Sequence, residues 1–169
     1  MKDDEEKHAD SKLYRSLIGS FLYMTSTRPD MMFAASLLSQ YMQCLSTKHF
    51  GAAKRVLRYI TGTTDYGIWY RSVENRALIG YSDSDWGGCL DNYKSTYGYS
   101  FSFGSGIFSW STKKQDIVAQ SLAEAEYVAA ASAINLGIWL RKILFELPEE
   151  PTVIYVDKKS AITMAENPV

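Results

Sequence analysis

Several acidic residues lie at the ends of apolar stretches of the chain or near the start of a helical stretch. Residues 79–88 (IGYSDSDWGG) run from an apolar stretch into the carboxylates of Asp83 and Asp85 and then break at two glycines. Glu126 lies in an Ala-rich helical stretch, and Asp157 directly follows a second apolar run. Mg²⁺ and Mn²⁺ prefer oxygen ligands, and carboxylate sites for such cations commonly serve phosphoryl chemistry. The order of these acids along the chain therefore predicts a site for divalent cations.

Each acid taken alone also has an ordinary structural interpretation. An Asp after a strand is commonly a turn residue or a helix cap. For Glu126, an equally good explanation is that the helix dipole favours an acid near a helix N-terminus. Asp83 and Asp85 are two residues apart, so an extended strand points both in one direction and the spacing does not choose between them. Glu124 points nearly opposite to Glu126 on the helix and is predicted to be solvated. The helix face that carries Glu126 also contains Leu122, Ala129, Ala130 and Ala133.

Composition restricts the class of protein. The chain has 169 residues, of which 46% are hydrophobic and 14% aromatic, so it is long and apolar enough for a globular fold. The net charge is −1, and nucleic-acid binding therefore depends on local patches. The two Cys and two His residues show no zinc-site spacing. The charged N-terminus is unlike a secretory signal and no apolar stretch has transmembrane length, so we expect an intracellular protein, cytoplasmic or nuclear, with no membrane partner.

The spacing of apolar residues in the first part of the chain predicts helices. Residues 1–11 are strongly charged and are predicted to be a disordered lead-in. Apolar residues recur with helical spacing in three stretches, which cover residues 14–25, 32–42 and 47–62. Pro29 breaks the chain between the first two, and Ser46 is suited to cap the third. The second stripe comprises Met32, Phe33, Leu37, Leu38, Tyr41 and Met42.

The apolar period then changes to that of strands. A short strand is predicted over residues 67–70, ahead of an antiparallel meander. The strands of the meander are predicted over residues 77–83, 96–103 and 107–111, with a hairpin turn at residues 104–106. The remaining elements are a helix over residues 121–145 that is kinked near Gly137, a buried strand over residues 153–156 and a helix over residues 160–165. The pattern indicates an α/β fold preceded by a three-helix segment.

Several short sequence motifs follow one another along the chain. They are GYSDSDW (80–86), KST (94–96), SWS (109–111), KKQ (113–115), AEAEYVAA (123–130), YVD (155–157) and SAI (160–162). They resemble the ribonuclease H domain of copia-type retrotransposon polyproteins. Upstream, YRSLIGS (14–20), TRPD (27–30), AKRVLRY (53–59) and GT (62–63) resemble the helical connection that follows the reverse transcriptase in those polyproteins. The resemblance covers residues 12–169, with the helical connection at 12–71 and the ribonuclease H-like domain at 77–169.

The resemblance implies a fold, a reaction and a set of residues. The implied ribonuclease H-like fold has a three-stranded antiparallel meander, a helix, a parallel strand and a further helix. The implied catalytic, metal-binding residues are Asp83, Glu126 and Asp157, with Asp83 preferred to Asp85. The implied reaction is hydrolysis of the RNA strand of an RNA–DNA hybrid with two Mg²⁺ or Mn²⁺ ions. Carboxylates clustered without metal repel one another, so the resemblance also implies a raised pKa at the site.

One departure from the family pattern lies beside the predicted site. The family usually has Asp-Asn-Gln-Ser, whereas this chain has two lysines, Lys158 and Lys159, after Asp157. These cations either weaken metal affinity or contact phosphate. Together with Lys113 and Lys114, which lie near an aromatic residue, they are the candidate nucleic-acid-binding residues.

A second departure concerns the end of the sequence. The family continues beyond position 169 with a strand and a helix that carry a fourth acidic residue, so the domain is expected to be C-terminally truncated. An open sheet edge recruits other chains, and we expect self-association through that edge. Two functions follow from this comparison. One is a ribonuclease H that acts on RNA–DNA hybrids in reverse transcription, and the alternative is a catalytically inactive polyprotein remnant that retains a fold able to bind nucleic acid or protein.

Overall fold

The structure, a computed structural model, describes residues 10–73, 77–89, 92–144 and 151–167. The chain divides into two compact units, which we call the helical unit (residues 1–67) and the sheet unit (residues 68–169). Most of the predicted lead-in lies outside the described residues. None of the described helices is long and apolar enough to cross a membrane.

The helical unit follows the apolar stripes of the sequence. Its α-helices, among the described residues, are α1 (Ser11–Met24), α2 (Met32–Ser39) and α3 (Thr47–Gly62). The Asp10 side chain caps α1, which therefore begins three residues earlier than the apolar stripe indicated. Pro29 opens a short 3-10 turn before α2, because its fixed backbone angle suits a first turn. Ser46 caps α3 as predicted, in a capping box with His49.

The core of the helical unit is formed by residues on one side of each helix. Its buried residues are Tyr14, Ile18, Phe21, Met31, Ala35, Leu38 and Ala53. The Tyr14 hydroxyl donates to the Leu38 carbonyl at 2.9 Å, so the polar end of this buried ring is satisfied. Phe33 and Leu37 were predicted to belong to the apolar stripe of α2 but are exposed. The short α2 has only Ala35 and Leu38 on its buried side.

The sheet unit has the mixed α/β architecture that the sequence predicted. Its described elements are β1 (Leu78–Asp85), β2 (Thr96–Phe103), β3 (Gly106–Lys114), α4 (Leu122–Ile143), β4 (Val153–Val156) and α5 (Lys159–Glu166). Within the described residues, the strand order is β3-β2-β1-β4. The first three strands form an antiparallel meander, and β4 pairs in parallel with β1. The parallel pairing requires a crossover, which α4 provides.

α4 packs on the sheet around one aromatic ring. Phe101 is fully buried between Gly80 on β1 and Gly137 on α4. A Cβ at Gly80 would lie 2.7 Å from Phe101 Cε1, and one at Gly137 would lie 3.4 Å from the same atom. α4 is one continuous helix through Gly137, and this glycine serves close packing. The prediction that Leu122 lies on the buried face was wrong, since its side chain is exposed.

Two short segments differ from their predictions. The prediction of a strand at residues 67–70 was wrong, since these residues form no strand. Individual hydrogen bonds attach the segment around Tyr70 to the sheet instead. The Tyr70 hydroxyl donates to the Ile107 carbonyl at 2.7 Å, and the Arg71 amide donates to Ser105 Oγ at 2.7 Å. Such contacts position a segment but make no strand ladder.

β4 forms where predicted, but it is not a buried strand. Val153 and Tyr155 are 49% and 54% exposed, whereas Ile154 packs against the core. In the described part of the sheet, β4 pairs only with β1 and therefore lies at an edge. A run of four apolar residues cannot distinguish a strand buried on both faces from one buried on a single face.

Candidate metal centre

Three acidic residues from separate elements converge at one end of the sheet. Asp83 lies near the end of β1, Glu126 in the second turn of α4, and Asp157 directly after β4. β1 and β4 are parallel neighbours in which Ser82 pairs with Val156, so the two aspartates follow paired positions. One carboxylate oxygen from each acid lies within 4.8 Å of the other two. The structure therefore brings together the three residues that the sequence predicted.

Asp85 does not join this cluster in the described part of the chain. It is exposed on the same side of β1 as Asp83, as the strand period requires. Its carboxylate lies against Gly88, where an added Cβ would collide with it. Gly88 thus leaves room for the Asp85 side chain to bend over the following turn, and the geometry distinguishes two acids that the spacing left equivalent.

The turn after β1 is tied to the segment before α4. Trp86 Nε1 donates to the Ala119 carbonyl at 2.9 Å. Gly87 has a φ of 65°, a backbone angle that residues with a side chain rarely adopt. Its amide donates to Ser95 Oγ at 3.2 Å. The Trp86 bond holds this turn close to the start of α4, the helix that carries Glu126, and the Gly87 bond ties the same turn to the residue before β2.

Gln115 is a positioning residue that sequence reasoning missed. Its side chain is buried, and Nε2 donates to the carbonyl of Ala125 at 2.9 Å, one residue before Glu126. Its backbone amide donates to the Ser95 carbonyl at 2.8 Å. Gln115 therefore connects the end of β3 to the first turns of α4. In the sequence, only its place in the motif KKQ pointed to Gln115, because a single Gln belongs to no periodic or charge pattern.

Glu126 is the electrostatically unusual member of the cluster. Its side chain is 1% exposed, and neither carboxylate oxygen has a hydrogen-bond partner among the described residues. Burial, followed by the charges of Asp157 and Asp83, raises its pKa from 4.5 to about 7. Lys158 and the Ser84 backbone amide act in the opposite direction, but neither makes a hydrogen bond to the carboxylate. The raised pKa agrees with the mutual repulsion expected of clustered acids.

The donor set suits a hard divalent cation. Buried carboxylate oxygens normally have partners, and the two of Glu126 have none in the described residues. Three carboxylates supply anionic oxygen ligands, which Mg²⁺, Mn²⁺ and Ca²⁺ prefer over nitrogen or sulfur. A cation among them would offset both their repulsion and the missing hydrogen bonds.

An open groove lies beside the two aspartates. It has a volume of about 400 Å³, and its lining includes Tyr81, Asp83, Tyr155 and Asp157. The rings of Tyr81 and Tyr155 are stacked with centroids 5.3 Å apart. Gly98 is the strand partner of Asp83, so the position directly opposite Asp83 on β2 carries no side chain. The groove gives a ligand access to the aspartates, while Glu126 lies in the interior.

The predicted lysines occupy different positions. Lys158 Nζ lies 3.2 Å from Asp157 Oδ2, and both side chains are partly exposed. Lys159 is the exposed first residue of α5. Lys113 and Lys114 end β3, where Lys114 Nζ lies 2.8 Å from Cys89 Sγ. Among the residues that the structure describes, Lys158 thus forms an ion pair with a carboxylate of the cluster.

Glu124 has a local role in the helix. Its Oε2 accepts from the Gln120 amide at 2.7 Å, next to the N-cap Ser121. It points away from the acidic cluster, as the helix period predicted, although its side chain is only half exposed. This residue therefore offers a matched control for substitutions of Glu126.

The chain is similar to several known proteins over most of its length. It is 42% identical over 170 aligned positions to the "Retrovirus-related Pol polyprotein from transposon RE2" of Arabidopsis thaliana, covering 96% of this chain and 12% of that protein. It is 40% identical to the corresponding polyprotein "from transposon TNT 1-94" of Nicotiana tabacum, with the same two coverages. The "Secreted RxLR effector protein 161" of Plasmopara viticola is 41% identical over 75% of this chain and 90% of its own length. No protein-family model matches, and no solved structure matches.

These similarities relate the chain to one group of polyproteins. Homologues at about 40% identity over nearly the whole chain are copia-type retrovirus-related Pol polyproteins. The chain spans about an eighth of the length of these polyproteins. The homology supports a function derived from a retroelement.

The raised pKa of Glu126 predicts how stability depends on pH. In EDTA, the folded protein holds a proton on Glu126 up to about pH 7, whereas the unfolded chain releases it near 4.5. The contribution of Glu126 to stability is therefore fully present below pH 4.5 and declines as pH rises through 7. Glu126→Gln should nearly match wild type at pH 4.5 and exceed it at pH 8 by roughly 3 kcal/mol, because one pKa unit corresponds to about 1.4 kcal/mol.

Urea unfolding in EDTA at a series of pH values measures this difference. Glu124→Gln removes the same charge two positions away and should keep the wild-type pH dependence. Equal stability of wild type and Glu126→Gln at every pH would show that the Glu126 carboxyl titrates normally.

Proposed function

We propose that the sheet unit is a ribonuclease H-like domain that hydrolyses the RNA strand of RNA–DNA hybrids, and that the helical unit is the connection that follows a reverse transcriptase. The observation that carries this proposal is the convergence of Asp83, Glu126 and Asp157 within 4.8 Å, each from a different element. The strand order β3-β2-β1-β4, with α4 as the crossover, supports a ribonuclease H-like fold. The homology to Pol polyproteins supports the retroelement origin of the activity.

The acids have separate tasks in this proposal. Bound Mg²⁺ or Mn²⁺ ions would supply an activated water and stabilise the charge on the leaving oxygen. Asp83 and Asp157 are exposed at the groove, so they would hold cations where a phosphodiester has access. Glu126 is buried and would supply a further anionic ligand, and the absence of water around it would strengthen its attraction for a cation.

The substrate would lie along the groove beside the aspartates. Its tyrosine-lined floor offers apolar and hydrogen-bonding surface, and Lys159 at the start of α5 is exposed and available for a phosphate. Lys158 has a second effect, because its ion pair with Asp157 must loosen when a cation binds. An exposed ion pair is worth about 0–1 kcal/mol, so this competition lowers metal affinity only modestly.

The inactive remnant is the second candidate function, and the Lys158–Asp157 pair is the observation that favours it. In that case the ammonium group replaces part of the positive charge that a metal would bring. The fold would still present its groove and exposed cations to nucleic acid. Binding without hydrolysis is the outcome that identifies this function.

Hydrolysis of a labelled hybrid tests the proposal. The wild-type chain is incubated with an RNA–DNA hybrid labelled on the RNA strand, in Mg²⁺, in Mn²⁺ and in EDTA. We expect RNA cleavage in the two metals and none in EDTA, with single-stranded RNA and double-stranded DNA left intact. Hybrid that is bound but intact in both metals would favour the remnant.

A further inference from the structure

The ammonium group of Lys158 lies beside the acidic cluster of the sheet unit. Its Nζ is 3.2 Å from Asp157 Oδ2, and the two groups form an ion pair. Its positive charge also acts on Glu126, where it favours the ionised carboxylate. One lysine therefore acts on two of the three acids.

The backbone of Lys158 is fixed by the first turn of α5. Lys158 is the N-cap residue of that helix, and its carbonyl accepts from the Ala161 amide at 3.1 Å and from the Ile162 amide at 3.3 Å. Ala161 is buried, so this turn is anchored in the packing of the sheet unit. The Lys158 side chain makes no capping hydrogen bond to α5, and replacing it therefore leaves the cap unchanged.

The surroundings of Glu126 indicate that Lys158 does not replace every cation at the cluster. Glu126 is buried, and neither of its carboxylate oxygens has a hydrogen-bond partner among the described residues. The ion pair of Lys158 is with Asp157 and leaves both of these oxygens unsatisfied. Buried carboxylates are normally paired or bound to a metal. The interior part of the cluster thus still requires a cation, which favours one divalent ion over none.

The charge of the cluster favours one divalent ion over two. Its three ionised carboxylates carry one negative charge each, and the single positive charge of Lys158 leaves a sum of −2. One divalent ion cancels that sum, so a second ion approaches a site that no longer attracts it. Without Lys158, the sum after the first ion would be −1, and attraction for a second ion would remain. Asp85 does not change this count, since its carboxylate lies against Gly88 outside the cluster.

We propose that Lys158 takes the place of a second ion, so that the cluster binds one divalent cation tightly and another only weakly. Lys158 sets the number of ions by its charge and through its contact with Asp157, without touching the substrate. The inference rests on the proposed function, because it takes the cluster to be a metal site. It departs from the two ions that the family resemblance implies.

The experiment counts the Mn²⁺ ions bound per chain at pH 8, where Glu126 is ionised. Wild type and Lys158→Gln are titrated by calorimetry, and the same samples are measured by electron paramagnetic resonance. Two Mn²⁺ ions in one cluster are spin-coupled, whereas a single ion is not. We expect one uncoupled ion per wild-type chain. Lys158→Gln should bind a second, spin-coupled ion about tenfold or more tightly than wild type does, because removing a positive charge beside a divalent ion is worth about that much even in water.

Two further variants separate the charge of Lys158 from its other properties. Lys158→Arg keeps the charge and should keep one uncoupled ion per chain. Lys159→Gln removes the same charge from the next residue, which forms no ion pair within the described part of the chain. It should also keep one uncoupled ion. Lys158 is half-buried and Lys159 is exposed, so all of these variants should fold, which circular dichroism checks.

The possible contrary results differ in what they say about the proposed function. Two spin-coupled ions in wild type, with the affinities found for Lys158→Gln, would overturn the role of Lys158 and leave the metal site in place. A single ion in Lys158→Gln, or an equal gain of the second ion in Lys159→Gln, would overturn it in the same way. Absence of Mn²⁺ binding in wild type and in every variant would reject the metal site itself, and the inference with it.

Discussion

Asp83→Asn should reduce metal-dependent hydrolysis of an RNA–DNA hybrid by about a hundredfold or more. Asp83 contributes one of the three carboxylate oxygens that lie within 4.8 Å of one another. Asparagine keeps the size of the side chain but removes the negative charge, and its amide nitrogen cannot bind a cation. The ions would then be lost or displaced, and displacement of a reacting group by about 1 Å is enough to cost about a hundredfold.

Two matched variants make this result specific. Asp85→Asn removes the same charge from the same strand but from a carboxylate that lies against Gly88, and Glu124→Gln retains an acceptor for the Gln120 amide. Both should keep activity within about threefold of wild type, as expected for charges outside the cluster. A loss in Asp85→Asn as large as that in Asp83→Asn would mean that the cluster is not the reactive site.

Phe101→Ala should destabilise the sheet unit by about 3–5 kcal/mol, the usual cost of removing a buried aromatic ring. The ring is fully buried and fills the space between Gly80 and Gly137. Because neither glycine has a side chain to move into that space, the variant retains a cavity. A loss of this size is a large share of the stability of an ordinary domain.

Chemical denaturation measures this effect, with two comparisons. Phe101→Leu fills much of the cavity and should cost less than Phe101→Ala. Ile138→Ala, at an exposed position of α4 next to Gly137, should change stability by less than about 0.5 kcal/mol. If Phe101→Ala were no more destabilising than Ile138→Ala, the packing of α4 on the sheet would be incorrect.

Periodicity in the sequence predicted most elements of both units, and for two of them it also predicted the boundaries. β2 covers the predicted residues 96–103, and α3 begins after the Ser46 cap and ends at Gly62. Both succeed because their signals are local: alternation in a strand, and a capping residue before an amphipathic run. Exposure of Val153 and Tyr155 was not predictable in the same way, since it depends on which strands lie beside β4.

The candidate site was only partly accessible from sequence. The carboxylates and the opposite direction of Glu124 follow from residue type and helix period. Burial of Glu126 and the bond from Gln115 to the Ala125 carbonyl depend on packing between α4 and the sheet, which no local pattern encodes. The choice of Asp83 over Asp85 came from family resemblance, and its physical basis is the bend of Asp85 over Gly88. The roles of these residues in metal binding and catalysis remain predictions.

Binding of Mn²⁺ by calorimetry tests the central claim most directly, because it needs neither substrate nor turnover. Wild type, Asp83→Asn and Glu124→Gln are titrated at pH 8, where Glu126 is ionised. The account predicts that wild type and Glu124→Gln bind Mn²⁺ with similar affinity, and that Asp83→Asn binds it about tenfold or more weakly, as expected when one anionic ligand is lost. The same Mn²⁺ response in Asp83→Asn as in wild type would contradict the assignment of Asp83, Glu126 and Asp157 as a metal centre.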